Sequence, residues 1–367
     1  MAGSLGRGEW RFEHRDRVGV LLGSVEFGVS GWEADGNRRV DRYSEATLTV
    51  SAGCCTSLAR STFGQEIWFY RDDHVYPAWI GVIRRRSVNT GTPDDVVLSL
   101  ADRSWWWTGR PVIFYVGPSG ELGGANVGET PDVTVVAQQI VDIGDQVVPV
   151  GLVMNVPSGI GSSGVSAVPR ISPRLLDTVY DAMTELGDTL VDWTVVGGTL
   201  FLDAPELPWS PILFDLGSSW TDSVEIIESG EGFATQVSVS GDNDALVSFP
   251  SNLSGLTVDP VRGFYWFGFD GGSQNDGQGV LSNIALNEWD RSHNPTVQIA
   301  ASNVALSCDA LVEFNELLPG RRCFVDTGGV CGFPGRIEAR IAEVQWSVVD
   351  GVDDRIGVDV ETLGATK

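Results

Sequence analysis

The sequence predicts a mainly β protein with a smaller α+β part, built as two small β-barrels in tandem plus peripheral inserted domains. Three observations predict this fold. Glycine is abundant, at 45 of 367 residues, and turn-forming residues recur every few positions, as in proteins with many short strands. Hydrophobic residues make up 42% of the chain, enough for packed cores. One strand plan of roughly 55 residues also occurs twice, a length that suits a small barrel.

The first copy of this plan lies in residues 1–110, which we predict to be the first barrel. Its strands are expected at 46–50, 66–70, 77–83 and 96–100. A polar loop at 87–95 precedes the last of them. Two more strands are predicted upstream, at 9–13 and 18–22.

The second copy lies near the C-terminus. Its strands are expected at 310–314, 322–326, 337–344 and 356–360. The acidic loop 350–354 takes the place that loop 87–95 has in the first copy. We therefore predict a second barrel of the same design.

A peripheral α+β domain is predicted between the copies, at 111–215. Apolar residues at helical spacing indicate helices at 134–141 and 172–187; Ser172 and Pro173 provide an N-terminal cap and first turn, and Gly187 a stop. A hairpin with a Gly197-Gly198 turn follows. The proline-rich stretch 205–211 closes the domain.

The second barrel is predicted to be split by an insertion. We assign residues 216–262 and 295–367 to the barrel, with strands at 234–241 and 297–300. Residues 263–294 form the insertion, with an aromatic strand at 264–269 and a short helix at about 280–290. The polar, glycine-rich loop 270–277 suggests that the insertion is exposed.

The net charge of −25 restricts the function classes. A chain this acidic repels nucleic acid phosphates and is not expected to bind them. An acidic wall would instead let DNA pass without arrest, although solubility alone also explains the charge. No apolar run is long enough to cross a bilayer, and no secretory signal is expected at the N-terminus.

Chemistry-bearing motifs are sparse, so we expect no catalytic site, no metal site and no cofactor. The five cysteines are odd in number and include no CxxC pair, which argues against a disulfide framework and a zinc site. The nucleophile, phosphate and zinc-protease motifs are absent. A glycosidase carboxylate pair, or calcium in loop 270–276, stays an open alternative.

Three consecutive tryptophans, Trp105, Trp106 and Trp107, close the first barrel. They cannot all face one core. We therefore expect at least one of them to pack against a neighbouring domain or chain. The thirteen tryptophans also leave open a sugar-binding function, since flat aromatic faces stack on pyranose rings.

In this order, five passages resemble the tail-hub proteins of long-tailed bacteriophages, the minor tail or baseplate-hub group. The resembling passages are 41–50, 66–83, 102–112, 236–241 and 318–323. The second matches the family's hairpin of aromatic strands, and the last its "l.pG..v.v" motif. The triple tryptophan and loop 270–279 have no place in the family pattern.

The resemblance implies a structural virion protein and not an enzyme. A homotrimer would place six barrels in one ring, joining the six-fold tail tube to the three-fold tip around a DNA-conducting lumen. Its implied partners are the distal tail or tube protein, the tape measure protein, and central tip or fibre proteins, in a tail assembled in the host cytoplasm. DNA would pass but not be bound. The candidate lumen-facing acids are Asp94, Asp95, Asp353 and Asp354. A carbohydrate- or receptor-binding tip protein and a β-sandwich glycoside hydrolase are the alternatives.

Overall fold

The computed structural model describes residues 8–24, 31–51, 62–72, 74–89, 95–111, 115–116, 122–123, 133–145, 149–155, 178–189, 192–203, 207–221, 224–229, 233–241, 246–250, 266–270, 281–282, 285–286, 288–289, 292, 296–300, 305–307, 312–329, 335–349 and 354–362. No helix in these ranges is long and apolar enough to cross a membrane.

The strands of the first part of the chain are β1 (Trp10–Arg15), β2 (Leu21–Ser24), β3 (Trp32–Arg39), β4 (Glu45–Ser51), β5 (Glu66–Arg71), β6 (Trp79–Asn89), β7 (Asp95–Ala101), β8 (Tyr115–Val116), β9 (Leu122–Gly123), β10 (Val153–Asn155), β11 (Asp192–Val196) and β12 (Thr199–Asp203). Those of the second part are β13 (Leu207–Asp215), β14 (Glu225–Ser229), β15 (Gln236–Ser240), β16 (Leu246–Phe249), β17 (Trp266–Asp270), β18 (Thr296–Ala300), β19 (Arg321–Asp326), β20 (Arg336–Val349) and β21 (Arg355–Thr362). The longest helices are α1 (Val133–Asp145) and α2 (Val179–Thr189), and Arg103–Gly109 and Phe314–Glu316 are 3-10 helices.

Thirteen strands form one large sheet, which confirms the mainly β prediction. Its order is β14-β18-β21-β20-β3-β4-β7-β6-β5-β1-β2, with β19 added beside β20 and β13 beside β19. The strands predicted for both barrels therefore share one sheet. Along the described pairings, the path runs from β14 to β2 without closing on itself.

The sheet is polar on one face and apolar on the other, because its strands alternate in sequence. In β20 every second residue before and after a bulge is buried, from Ile337 to Val348. The buried residues of both halves form one continuous core. Five aromatic rings meet where the halves join, with neighbouring centroids 5.2–6.1 Å apart: Trp10, Phe69, Trp79, Phe314 and Trp346.

The two halves of the sheet repeat one five-strand order. The first half has β3-β4-β7-β6-β5, and the second has β14-β18-β21-β20-β19. Register agrees as well as order. Leu100 of β7 lies opposite both Ile83 of β6 and Ala46 of β4. Val360 of β21 likewise lies opposite Ile341 of β20 and Ile299 of β18.

Both halves also carry the same backbone irregularities. The register of β6 shifts after Ile83, and that of β20 shifts after Ile341. Gly64 donates its N–H to the carbonyl of Ile83 at 3.1 Å, and Gly320 donates to Ile341 at 2.7 Å. The two glycines have φ values of 86° and 87°, which residues with a Cβ rarely adopt. Since burial alone does not produce such details, the halves are two copies of one structural unit.

The predicted opening strand of the second copy, 310–314, is wrong. Residues 312 and 313 are irregular, and the Phe314–Glu316 helix follows. The side chain of Glu316 accepts the backbone N–H of Glu313 at 3.3 Å, which closes this turn. In the sheet, β18 occupies the position that β4 has in the first half.

The region between the copies contains a domain with its own core. Helices α1 and α2 pack with the three-stranded sheet β10-β12-β11. The predicted hairpin and the helix at 134–141 are confirmed. The second helix is confirmed as well, but it continues through Gly187 to Thr189, so the predicted stop at Gly187 is wrong; residues 172–177 lie outside the described ranges. β13 was assigned to this domain, but it pairs with β19 in the large sheet. Pro208 and Pro211 fit there because β13 has a described partner on one side only.

A third sheet, β16-β15-β17, stands apart from the large one. Its apolar face packs against Leu281 and Ala285, in the short helix predicted there. Strands β15 and β16 had been assigned to the second barrel. Instead, β15 pairs with β16 on one edge and with β17 of the insertion on the other. Alternation of polar and apolar residues predicts a strand but does not identify the sheet to which it belongs.

Candidate functional site

The two halves meet where β3 of the first pairs antiparallel with β20 of the second. This pairing runs over seven residues of each strand, from Arg39 opposite Glu343 to Glu33 opposite Val349. It makes one half a direct extension of the other. Trp346 lies opposite Gly36, and a Cβ at position 36 would collide with the indole ring. Glycine at this position therefore permits the two strands to approach with a tryptophan between them.

Beneath this joint lies a buried arginine. Arg38 is 0% exposed and donates to three backbone carbonyls, those of Ala78 at 2.5 Å, Phe314 at 3.3 Å and Leu317 at 3.2 Å. Ala78 belongs to the first half and the other two to the second. Burial, with the nearby Arg71, lowers the pKa of Arg38 to about 9. Its guanidinium thus ties the halves together.

Above the joint, the polar face of the sheet carries an excess of acid. On six adjoining strands, β21, β20, β3, β4, β7 and β6, the residues on the face opposite the core include more carboxylates than guanidinium groups, eight against six. The carboxylates are Glu33, Asp35, Glu45, Asp95, Glu338, Glu343, Asp359 and Glu361. The guanidinium groups are Arg39, Arg84, Arg85, Arg336, Arg340 and Arg355.

A cleft of about 680 Å³ opens on this face, across β3, β4, β20 and β21. Two of its acids are held by arginines: Glu45 by Arg84 at 2.5 Å and Glu343 by Arg39 at 3.2 Å. Asp35 also lines it. Ion-paired carboxylates on an open surface do not resemble the desolvated acid of a hydrolase.

The acidic candidates from the sequence have different places. Asp95 begins β7 on the polar face, opposite Ser51 and Asn89. Asp94 and Asp353 lie outside the described residues. Asp354 is buried, and it accepts from Arg71 at 3.1 Å and from the indole N–H of Trp10 at 3.1 Å. Its carboxylate is paired inside the protein, so the prediction that Asp354 faces a lumen is wrong.

The three tryptophans lie on the 3-10 helix Arg103–Gly109. Trp107 is fully buried in the core of the α1–α2 domain, 5.6 Å from the ring of Trp193. Trp105 and Trp106 are half-buried, with ring centroids 5.3 Å apart. This helix therefore joins the first half of the sheet to that domain.

An ion pair strengthens the same junction. Arg103 of the 3-10 helix donates to both carboxylate oxygens of Glu66 on β5, each at 2.8 Å, and to the carbonyl of Gly151 at 2.5 Å. Asp102 caps the helix by accepting the N–H of Ser104 at 2.8 Å, and burial raises the pKa of Asp102 to about 6.

Sequence reasoning did not identify the residues of the joint. Arg38 occupies a position of β3 that faces the core. An arginine among core-facing residues indicates a buried cation that needs hydrogen-bond acceptors from elsewhere in the chain. Gly36 in a strand is a second signal, because strand glycines often mark a close approach. Neither reveals its partner, which lies about three hundred residues away in the chain.

Within the described ranges, no group of three or more His, Cys, Asp or Glu side chains could hold a metal ion. The free thiol of Cys323 is buried, and burial raises its pKa, which keeps it in the unreactive thiol form.

Comparison with known proteins gives matches at the level of structure. No protein-family model and no curated protein matches the sequence. A tail protein from Neisseria meningitidis MC58 is 13% identical with a TM-score of 0.63, covering 96% of each chain. The 43 kDa tail protein of prophage MuSo2 from Shewanella oneidensis is 13% identical with a TM-score of 0.61, covering 96% of this chain and 98% of that one.

A third similar structure comes from a secretion system. It is an E. coli type VI secretion component, described as structurally similar to the T4 bacteriophage tail proteins gp27 and gp5. It is 11% identical with a TM-score of 0.50, covering 93% of this chain and 76% of that one. From end to end, this chain has the fold of phage tail proteins.

Proposed function

We propose that this chain is a structural protein of a phage tail tip, the hub that joins the tail tube to the tip. The observation that carries the proposal is the duplicated five-strand unit within one sheet. A chain with two equivalent units can serve two adjacent positions of a ring. The similarity to tail proteins over nearly the whole chain supports the same role.

The proposed assembly is a homotrimer. Three chains with two units each supply six positions, which matches a six-fold tube on one side. The peripheral domains differ between the two halves, so on the other side the ring has only three-fold symmetry. This is how one protein can connect the two symmetries.

We further propose that the polar face of the sheet lines a lumen through which DNA passes. Its excess of carboxylates supports this, because a wall that repels phosphates does not retain DNA. Glu33, Asp35 and Asp95 are the lining residues we favour. Asp94 and Asp353, from the neighbouring loops, remain in the proposal.

The proposed location is the virion tail tip, after assembly in the host cytoplasm. The proposed partners are the distal tail or tube protein, the tape measure protein, and central tip or fibre proteins. Trp105 and Trp106 are our candidates for such contacts, since both are partly exposed while Trp107 is committed to the fold.

The two alternatives gain less support. A sugar-binding groove needs several exposed tryptophans, and among the described ones Trp266 alone is largely exposed, at 60%. A hydrolase needs two free acids across a cleft, whereas Glu45 and Glu343 are ion-paired. We therefore propose a protein without enzymatic activity.

Electron microscopy of purified tails, with antibody fragments against the α1–α2 domain, tests this role. Three fragments at the tip, arranged around the tail axis, would support it. Label along the tube or on side fibres, or a copy number that is not a multiple of three, would contradict it.

A further inference from the structure

The pairing that joins the two halves has a counterpart elsewhere on the sheet, where two strand edges have no partner among the described strands. β20 is 14 residues long. One of its edges pairs with β21, and the other pairs first with β19 and then, over residues 343–349, with β3. One long strand thus holds its own half and the neighbouring half together.

The equivalent strand of the first half is β6. One of its edges pairs with β7, and the beginning of the other pairs with β5, over residues 79–82. Beyond this point, no described strand pairs with that edge of residues 84–89. These residues correspond to the part of β20 that receives β3.

The equivalent of β3 is β14 in the second half. β3 has β4 on one edge and β20 on the other. β14 has β18 on one edge, and no strand within the described ranges pairs with the other edge. Each half therefore supplies one member of the pairing, and among the described strands the β3–β20 combination is the one that forms.

We propose that β14 of one copy pairs antiparallel with residues 84–89 of β6 in a second copy. This inference rests on the proposed hub function for the ring, and it specifies how its subunits join. The pairing would repeat between chains the contact that β3 and β20 make within one chain. Unpaired strand edges are the parts of a sheet most ready to accept another chain.

The duplicated unit also fixes the register of this contact. The bulge after Ile83 matches the one after Ile341, so Ser87 corresponds to Gln345 and Val88 to Trp346. Gly36 of β3 lies opposite Ala46 of β4, and Ile226 of β14 lies opposite Ile299 of β18, the residue equivalent to Ala46. Ile226 is therefore the counterpart of Gly36. Because Trp346 lies opposite Gly36, Val88 of one copy should lie opposite Ile226 of the next. Ser87 should lie opposite Ile227.

Exposure of the apolar residues agrees with this register. Trp346 is 2% exposed at the joint, whereas Val88, its counterpart at the edge of β6, is 50% exposed. The sizes are also complementary. A tryptophan against a glycine fills the space within the chain, and two medium-sized apolar residues, Val88 and Ile226, would fill it between chains.

A contact of this kind joins two different surfaces, so it repeats from copy to copy. Head-to-tail contacts close into rings when the rotation between copies permits. Each added copy would extend the same sheet by one chain, and its polar face would stay continuous around the ring.

Cysteine cross-linking of the full chain tests the register. Ser87→Cys with Ile227→Cys should give disulfide-linked multimers under oxidising conditions, seen without reductant on a denaturing gel. Val88→Cys with Ile226→Cys is the second pair, because bridgeable and less bridgeable pairs alternate along an antiparallel ladder. The matched positive control is Gln345→Cys with Asn37→Cys, the equivalent pair within one chain. The wild-type chain gives the background from native cysteines.

The mismatched pair Ser87→Cys with Ile226→Cys should cross-link much less, since its side chains would leave opposite faces of the sheet. In the contrary outcome, native mass spectrometry shows multimers while neither matched pair gives disulfide-linked chains and the control pair does form its disulfide. That result would overturn the inference but would not contradict the tail-tip role. A full chain that stays monomeric at every concentration would also overturn it. Tail-tip labelling decides the role separately.

Discussion

Arg38 is the residue on which the joint between the halves most depends. It is a buried cation with no described carboxylate partner, and three carbonyls from two halves satisfy it. Removing a donor from buried acceptors costs more than the hydrogen bond itself contributes, because the acceptors stay desolvated. Arg38 therefore acts as a structural clamp.

We expect Arg38→Leu to lower the free energy of unfolding by about 2–5 kcal/mol, measured by urea denaturation. Arg39→Leu is the matched control. The side chain of Arg39 is 36% exposed and pairs with Glu343 at 3.2 Å. Such a surface ion pair contributes less than about 1 kcal/mol to stability. Equal losses from the two substitutions would refute the clamp.

The residue-scale signals were partly readable in the sequence. The strand that carries Arg38 is not among the predicted ones, because β3 contains few apolar residues. Asp354 is correctly assigned to the end of a loop, but the sequence does not tell which polar group is enclosed by other parts of the chain. Asp354 was taken for a solvent charge because its loop is acidic. Its burial is set by Arg71 and Trp10, which lie about three hundred residues earlier.

At the scale of elements, the α1–α2 domain is attached to the sheet by its strand β11. Asp192 of β11 forms an ion pair with Arg340 of β20, and Arg340 also binds Glu361 at 3.1 Å. Asp41, just after β3, accepts the backbone N–H of Trp193 at 2.8 Å. Burial, with the nearby Asp192, raises the pKa of Asp41 to about 8.

This raised pKa predicts that stability falls as the pH rises. An unfolded aspartate has a pKa of about 3.9, so between about pH 4 and pH 8 the folded chain holds a proton that the unfolded chain releases. The loss is at most about 1.4 kcal/mol per pH unit in that window. Asp41→Asn should flatten the dependence, since asparagine tolerates the φ of 57°.

Denaturation of wild type and Asp41→Asn at several pH values measures this effect. Asp35→Asn, which changes an exposed carboxylate of β3, is the control and should leave the slope of the wild type unchanged. A wild-type stability that rises from pH 5 to pH 8, or a slope that Asp41→Asn does not reduce, would contradict the assignment.

Most elements could be predicted from the sequence, while their sheet membership could not. Strands such as β4, β6 and β20 are set by local alternation, and α1 by helical spacing. The strand predicted at 234–241 is assigned by sequence to the second barrel but lies in a separate sheet, and β3 and β13 are not predicted as strands. Edge pairing is decided by contacts between distant segments, which periodicity does not encode.

At the scale of the whole molecule, the duplicated unit makes the sheet a directional building block. The joint between the halves is buried, the α1–α2 domain attaches at Arg340 and just after β3, and Glu33 and Asp35 on the carboxylate-rich face are exposed. Such a division lets the outer domains differ while the wall of a ring remains regular. In the proposed ring, the charge of this face would be the property that matters for DNA.

We expect that reversing charge on the proposed wall slows DNA release from assembled particles. The variant is Glu33→Arg with Asp35→Arg, two exposed positions on β3. The matched control, Asp142→Arg with Glu185→Arg, makes the same charge change on exposed positions of α1 and α2. Arginines on the wall would attract phosphates within about 8–10 Å, the screening length at physiological salt.

The measurement is the rate of DNA release from purified particles at two salt concentrations. The wall variant should assemble and adsorb normally, release DNA more slowly than the control, and recover partly at high salt, because salt weakens the attraction between arginine and phosphate. If both variants behave alike, or if the wall variant differs from wild type only in assembly, the sheet's polar face does not line the DNA path.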